Sequence, residues 1–252
     1  MAEPVSKTRA ESARIDAVAQ IDAAAARVSA LFGDLQERLT GWRDAVLADQ
    51  GADGIPAAAL DELIERLVVP ALREDDPVLV GAGFVAAPEF TGGDDLHFAW
   101  WLGPLDDNPL TGATTEPSRL DLASRSYSDY LRDFRSLEWY SIPRSTHRTH
   151  ITGPYVDHLC ACDYIVTITS PVEHGGRMLG VVGVDVYVRR LERELLPALL
   201  GVGCPTMLVN EWGRVMVSTD PTVLVGAVAQ VGDDAIRCPG TPFRLVASAQ
   251  PT

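Results

Sequence analysis

Apolar residues recur at Val18, Ile21, Ala25, Val28, Phe32, Leu35, Leu39, Trp42 and Val46, in alternating steps of three and four residues. A period near 3.5 held over four heptads predicts one long amphipathic helix, over about residues 10–48. Such a stripe either lies along its own domain or forms a seam with a second copy, and both can hold at once. The breakers between Gln50 and Pro56 end this pattern, and a second helical pattern fills Ala57 to Leu72 before the charged run from Arg73 to Pro77.

The period then changes. Val78 to Ala86 (VLVGAGFVA) and Leu96 to Leu102 (LHFAWWL) are short runs rich in β-branched and aromatic residues, separated by Thr91-Gly92-Gly93-Asp94. They read as paired strands. A long polar and aromatic stretch runs from Gly103 to Ile151, and irregular chain of that length in a compact domain points to function. Strands resume at Tyr164 to Pro171 and Arg177 to Val188, joined by the hairpin turn Glu173-His174-Gly175-Gly176. A helix is expected from Arg189 to about Leu200. Strands are expected at Thr206 to Val209 and Arg214 to Ser218, and the tail from Gly226 is weakly patterned. Helices first and hairpin-linked strands later mean α+β with an antiparallel sheet.

Charge narrows the function classes. The 252 residues carry 35 Asp and Glu against 21 Lys and Arg, a net charge of −14, which lacks the basic footprint of a nucleic-acid binder. No apolar run approaches the roughly 20 residues of a membrane span, and the first residues (MAEPVSKTRAESARIDAV) lack an apolar secretory core. With Met1 as the true start, the expected location is the cytoplasm. Four cysteines (Cys160, Cys162, Cys204, Cys238) form no CxxC pair, and His158, Cys160 and Cys162 alternate on an extended segment, so buried or idle thiols are expected and no metal site. No GxGxxG or Walker sequence calls for a nucleotide, and no cofactor is expected.

The candidate chemistry is the group Tyr130, Arg135, Trp139, Tyr140, Tyr155, Asp157 and Asp185. A pocket for a small zwitterion needs a guanidinium for the carboxylate, carboxylates for the ammonium, and aromatic rings around both. Tyr155 and Asp157 are two apart, so on an extended segment they share a face. Asp185 interrupts the apolar strand Val181-Val182-Gly183-Val184-Asp185-Val186, where a buried carboxylate requires a partner. Structural roles are open for each: Trp139 and Tyr140 as core aromatics, Arg135 paired with Glu138 or Asp133, Asp185 as the cap of the helix near Arg189.

The order of long helix, strand pair, aromatic loop, then GPYVD, YIVTITSPV and GRMLGVVGVDV resembles the Cache sensor domains, PAS-like ligand-binding modules of bacterial receptors. In the amino-acid and amine binders of that family a Tyr, an Arg five residues on, a Trp-Tyr pair, a Tyr-x-Asp and a last strand Asp form the pocket. Tyr130 and Arg135, Trp139-Tyr140, Tyr155-Val156-Asp157 and Asp185 match in that order over about residues 10–200. The resemblance implies a Cache-like domain over 1–200. Residues 201–252 are then a reduced second PAS-like module, as LVNEWGRVMVS suggests, or an extension of the same sheet. It also implies a non-catalytic sensor of a small amino acid or amine that signals to a regulatory partner.

Two departures stand out. Arg135 is four residues before Trp139 where the family places its Arg two before, with Leu137 in that place, which favours an amine without a carboxylate. The family's members are mostly extracellular parts of membrane receptors, whereas this sequence shows no span and reads as a soluble version. Competing readings are a binder of a small carboxylate, a small-molecule hydrolase using Ser, His and Asp (His147, His150, His158, His174), and an oligomerisation module. The hydrolase lacks a GxSxG or HExxH device. The helical seam of Val18, Ile21, Val28, Phe32, Leu35 and Leu39 gives the expectation of a homodimer.

Overall fold

The computed structural model describes residues 4–49, 54–74, 78–105, 112–121, 133–157 and 163–247, with side chains from residue 18 onward. Tyr130, His158, Cys160 and Cys162 lie outside the described residues. The chain divides into two compact units, one of Leu35–Tyr187 and one of Met1–Asp34 with Val188–Thr252. Helix α1 (Pro4–Asp49) contributes to both.

In the first unit, helix α2 (Ala57–Leu72) matches the expected segment and packs on the strand pair β1 (Leu79–Ala86) and β2 (His97–Leu102). The sheet is completed by β3 (Ser118–Arg119), β4 (His150–Val156), β5 (Tyr164–His174) and β6 (Arg177–Tyr187), in the order β3-β2-β1-β6-β5-β4. All neighbours are antiparallel. β1 and β6 are central, which explains their unbroken apolar character: buried on both faces, they do not alternate. The β5–β6 hairpin turns on Gly175 and Gly176, whose φ values of 59° and 77° are those of a two-residue type I′ turn.

The long stretch after Gly103 is less irregular than its composition suggests. It holds β3, a 3-10 turn at Phe134–Ser136, helix α4 (Glu138–Thr146) and β4. A four-residue helix α3 (Pro88–Thr91) also stands in the expected β1–β2 turn. α4 was missed because Pro143 lies inside it and its nine residues span little more than two turns, too few to display a period. It packs on β4 and β5.

In the second unit, helix α5 (Val188–Leu200) buries Leu191, Leu195 and Leu199 at four-residue steps and packs on β7 (Thr206–Val209) and β8 (Val215–Ser218). The weakly patterned tail supplies β9 (Ile236–Arg237) and β10 (Arg244–Ala247), giving a second antiparallel sheet in the order β8-β7-β10-β9. Phe32 of α1 meets Phe243 edge-on, ring centres 4.8 Å apart. Burial pushes the Cys238 thiol up to about 12, so it stays a protonated core residue.

The α+β architecture with antiparallel sheets and a long N-terminal helix is therefore present. The apolar stripe of α1 is covered within one chain: Ala24, Ala25, Val28, Phe32, Leu35, Leu39 and Val46 are all buried, while Val18 is 53% exposed. That removes the stripe from Ala24 onward as a ready-made seam for a second copy. No described helix is long and apolar enough to cross a membrane.

Candidate functional site

Strand register builds the site. Thr152, Thr167, Asp185, Gly81 and Leu102 stand opposite one another across β4, β5, β6, β1 and β2, and two residues along, Thr169, Gly183, Gly83 and Trp100 do the same. Residues directly opposite in antiparallel strands project from the same face, as do residues two apart. Glycines at three of these positions leave room for one large side chain. A Cβ on Gly81 would lie 2.8 Å from Nε1 of Trp100, one on Gly83 2.9 Å from its Cε3, and one on Gly183 3.1 Å from its Cη2. The Trp100 indole thus lies against a column of glycines, and the Gly81 Cβ position is also 3.2 Å from Oδ2 of Asp185.

Above this floor is a cavity of about 60 Å³, counted as the space a water centre can occupy, walled by Trp100, Trp139, Phe98 and Tyr155 with Val85, Leu120 and Ile165. One water needs about 10–15 Å³ by that measure, so several fit. Its polar groups are Asp157, Thr167 and Asp185. The Thr167 hydroxyl donates to Oδ1 of Asp185 at 2.6 Å, and because a hydroxyl has one proton, the Tyr155 hydroxyl donates to Thr167 Oγ1, also at 2.6 Å. The result is a directed chain from Tyr155 through Thr167 to Asp185. Asp157 follows β4, and its N–H donates to the Asp163 carbonyl at 3.0 Å.

Electrostatics single out Asp185. Burial raises its pKa to about 7, the Asp157 charge raises it too, and the Thr167 hydrogen bond opposes both. No cationic side chain lines the cavity among the described residues. The sheet has built a carboxylate pair in an aromatic enclosure, which a cation can neutralise.

Of the seven sequence candidates, Trp139, Tyr155, Asp157 and Asp185 come together here. Tyr140 and Arg135 line a separate, larger cleft of about 410 Å³ by the same measure. Trp139 and Tyr140 are consecutive on α4 and so cannot face one way; their rings are 84° apart in plane. Arg135 donates from Nη2 to the Asp94 carbonyl at 2.7 Å. Asp185 lies within β6, not at the start of α5. His147 pairs with Glu173 through Nδ1 and His150 with Glu138 through Nε2. No group of three metal-binding side chains occurs among the described residues.

Sequence reasoning missed Trp100 and Thr167. Thr167 was detectable, since Val166-Thr167-Ile168-Thr169 alternates and aims both hydroxyls at one face of an otherwise apolar strand. For Trp100 the signal was the set of three glycines, Gly81 and Gly83 in one strand run and Gly183 in another, which mark close approach of another group.

Residues 97–193, less than half of the chain, match the family model of the first PDC sensor domain of methyl-accepting-chemotaxis-protein-like sequences. The methyl-accepting chemotaxis protein PctB of Pseudomonas aeruginosa is 27% identical over 134 residues, 50% of this chain but only 21% of PctB. Among solved structures, the sensory domain of Campylobacter jejuni chemoreceptor Tlp3 with isoleucine has a TM-score of 0.60 at 13% identity, over 91% of this chain and 80% of that one. The ligand-binding domain of Pseudomonas fluorescens chemoreceptor CtaA with L-valine has a TM-score of 0.57 at 14% identity, over 92% and 95%. That of Pseudomonas aeruginosa amino acid chemoreceptor PctC with GABA has 0.55 at 15%, over 88% and 93%. The resemblance read from the sequence therefore holds: residues 97–193 match a PDC sensor domain, and the chain has the fold of a Cache/PDC-type sensor, a non-catalytic class.

Proposed function

We propose that this chain senses a small amino acid or amine, holding the ligand's ammonium group between Asp157 and Asp185 inside the aromatic cavity and passing occupancy to a regulatory partner. The observation that carries this reading is the buried pair of carboxylates, Asp157 and Asp185, each 7% exposed, in a cavity whose described lining has no cation. A ligand ammonium between them offsets the effect of the Asp157 charge on Asp185, which favours binding. The compounds bound in the three solved relatives, isoleucine, L-valine and GABA, each carry an ammonium group. Arg135 lines the other cleft, so a plain amine is accommodated as well as an amino acid.

Two further parts belong to this proposal. The sheet β7 to β10 is a reduced second module, and two copies pair through the part of α1 before Ala24, where Val18 is exposed.

The test is a thermal-shift series of branched and straight amino acids, their decarboxylated amines, and carboxylates such as butyrate. Ligand at about 100 times its dissociation constant adds roughly 2.7 kcal/mol of stability. Stabilisation by amines and amino acids, lost in Asp185→Asn and Asp157→Asn, is expected. Stabilisation by butyrate alone would overturn the assignment in favour of a carboxylate binder.

A further inference from the structure

The second cleft holds chemistry that an ammonium site does not use. Arg135 before α4, Arg144 on α4 and Arg177 after the Gly175-Gly176 turn line it, with Glu89 the acidic residue of the lining. Three guanidiniums against one carboxylate leave two positive charges in one concavity, on a chain whose net charge is −14. Arg144 and Arg177 form no ion pair with another described residue, and Arg135 spends one donor on the Asp94 carbonyl. Exposed arginines alone are commonplace. What distinguishes this cleft is Tyr140, a side chain only 3% exposed that lines it and whose hydroxyl makes no hydrogen bond with another described residue. Arg144 and Arg135 act on that hydroxyl electrostatically, so the guanidiniums and the hydroxyl converge. On a side chain otherwise buried, that hydroxyl is left open to the cleft, where it can donate to an anion held by the guanidiniums.

We propose that this cleft is a second binding site, selective for a small dianion bearing a phosphate or two carboxylates. Planar guanidinium forks take oxyanions in bidentate fashion, a hydroxyl supplies a further donor, and two charges on the ligand balance the two excess charges of the lining. The site is distinct from the ammonium cavity: the two share no lining residue.

The experiment titrates the full chain with sodium phosphate and, separately, disodium succinate, against sodium chloride at equal ionic strength, reading the unfolding temperature. A saturable rise with either anion, weakened about tenfold or more in Arg144→Gln/Arg177→Gln, is the expected result. Arg148→Gln, an exposed arginine outside the cleft, should respond as wild type does. Which anion saturates at lower concentration tells phosphate from dicarboxylate. A rise that does not saturate and is equal in all three proteins would be the general exclusion effect of such salts and would overturn the proposal, as would no rise with either anion. The double variant keeps its response to the amines. Loss of every amine response beside an intact, arginine-dependent anion response sinks the ammonium reading and leaves this one standing.

Discussion

Removing the Asp185 charge should change how stability depends on pH in a way that isolates this one carboxylate. The folded pKa of Asp185 is raised to about 7 from 3.8, so between those values the folded state holds a proton that the unfolded chain has released. Stability from this group is therefore full below about pH 4 and falls as pH rises toward 7. A difference of about 3 units at 1.36 kcal/mol each makes the loss about 4 kcal/mol once the carboxylate is fully ionised. Asp185→Asn keeps an oxygen that can accept from Thr167 and abolishes the titration. Urea unfolding of both proteins at pH 4.5 and pH 8, without ligand, should show the stability advantage of the variant widening by about 3 kcal/mol between the two. An advantage that stays constant would refute the claim that this carboxylate is buried against its own charge. The same linkage governs binding. A ligand ammonium favours the carboxylate, so binding releases a proton below pH 7, and affinity for an amine should fall about tenfold from pH 8 to pH 6 in the wild type.

Thr167→Val keeps the shape but takes one partner from the Tyr155 hydroxyl and removes the donor to Asp185; it should cost about 1–3 kcal/mol in urea unfolding at pH 6 and move the pH midpoint of stability upward, since the lost bond had lowered the Asp185 pKa. Gly81→Ala drives a Cβ into Trp100 Nε1 and should cost about 1–3 kcal/mol together with loss of the amine response, whereas Gly93→Ala, whose added carbon meets nothing within 4 Å, should be close to neutral in the same assay. Light scattering at micromolar concentration should give a dimeric mass that Val18→Asp reduces to a monomer with unchanged melting temperature; a monomeric wild type refutes pairing.

The elements legible in the sequence were those whose burial imposes a period or an unbroken apolar run. α2 and β7 fall on their expected residues, and the β5–β6 hairpin was written in its two glycines. β9 and β10 were not legible, since a two-residue and a four-residue strand at the end of a small sheet show no alternation long enough to read. In the site, Asp157 and Asp185 could be found because a carboxylate in or beside an apolar strand contradicts its surroundings. Arg135 and Tyr140 could not be separated from them, because which side of a short helix a residue occupies depends on where that helix docks. Trp139 and Tyr140, adjacent in sequence, open onto different spaces for that reason alone.

The seating of Trp100 on Gly81, Gly83 and Gly183 bears on how such a cavity can change over time. Glycine inside a strand weakens a sheet, and an aromatic ring laid over it restores the lost contact, so this indole supports the fold while it floors the cavity. Enlarging the site from below would therefore remove a structural member, and shrinking it from below would evict the ring. Variation in ligand size is left to the walls, at Val85, Leu120 and Ile165, where one methylene more or less alters the room available without touching the floor. A lineage whose cavity changes size would drift at those three positions and hold the tryptophan and its glycines fixed.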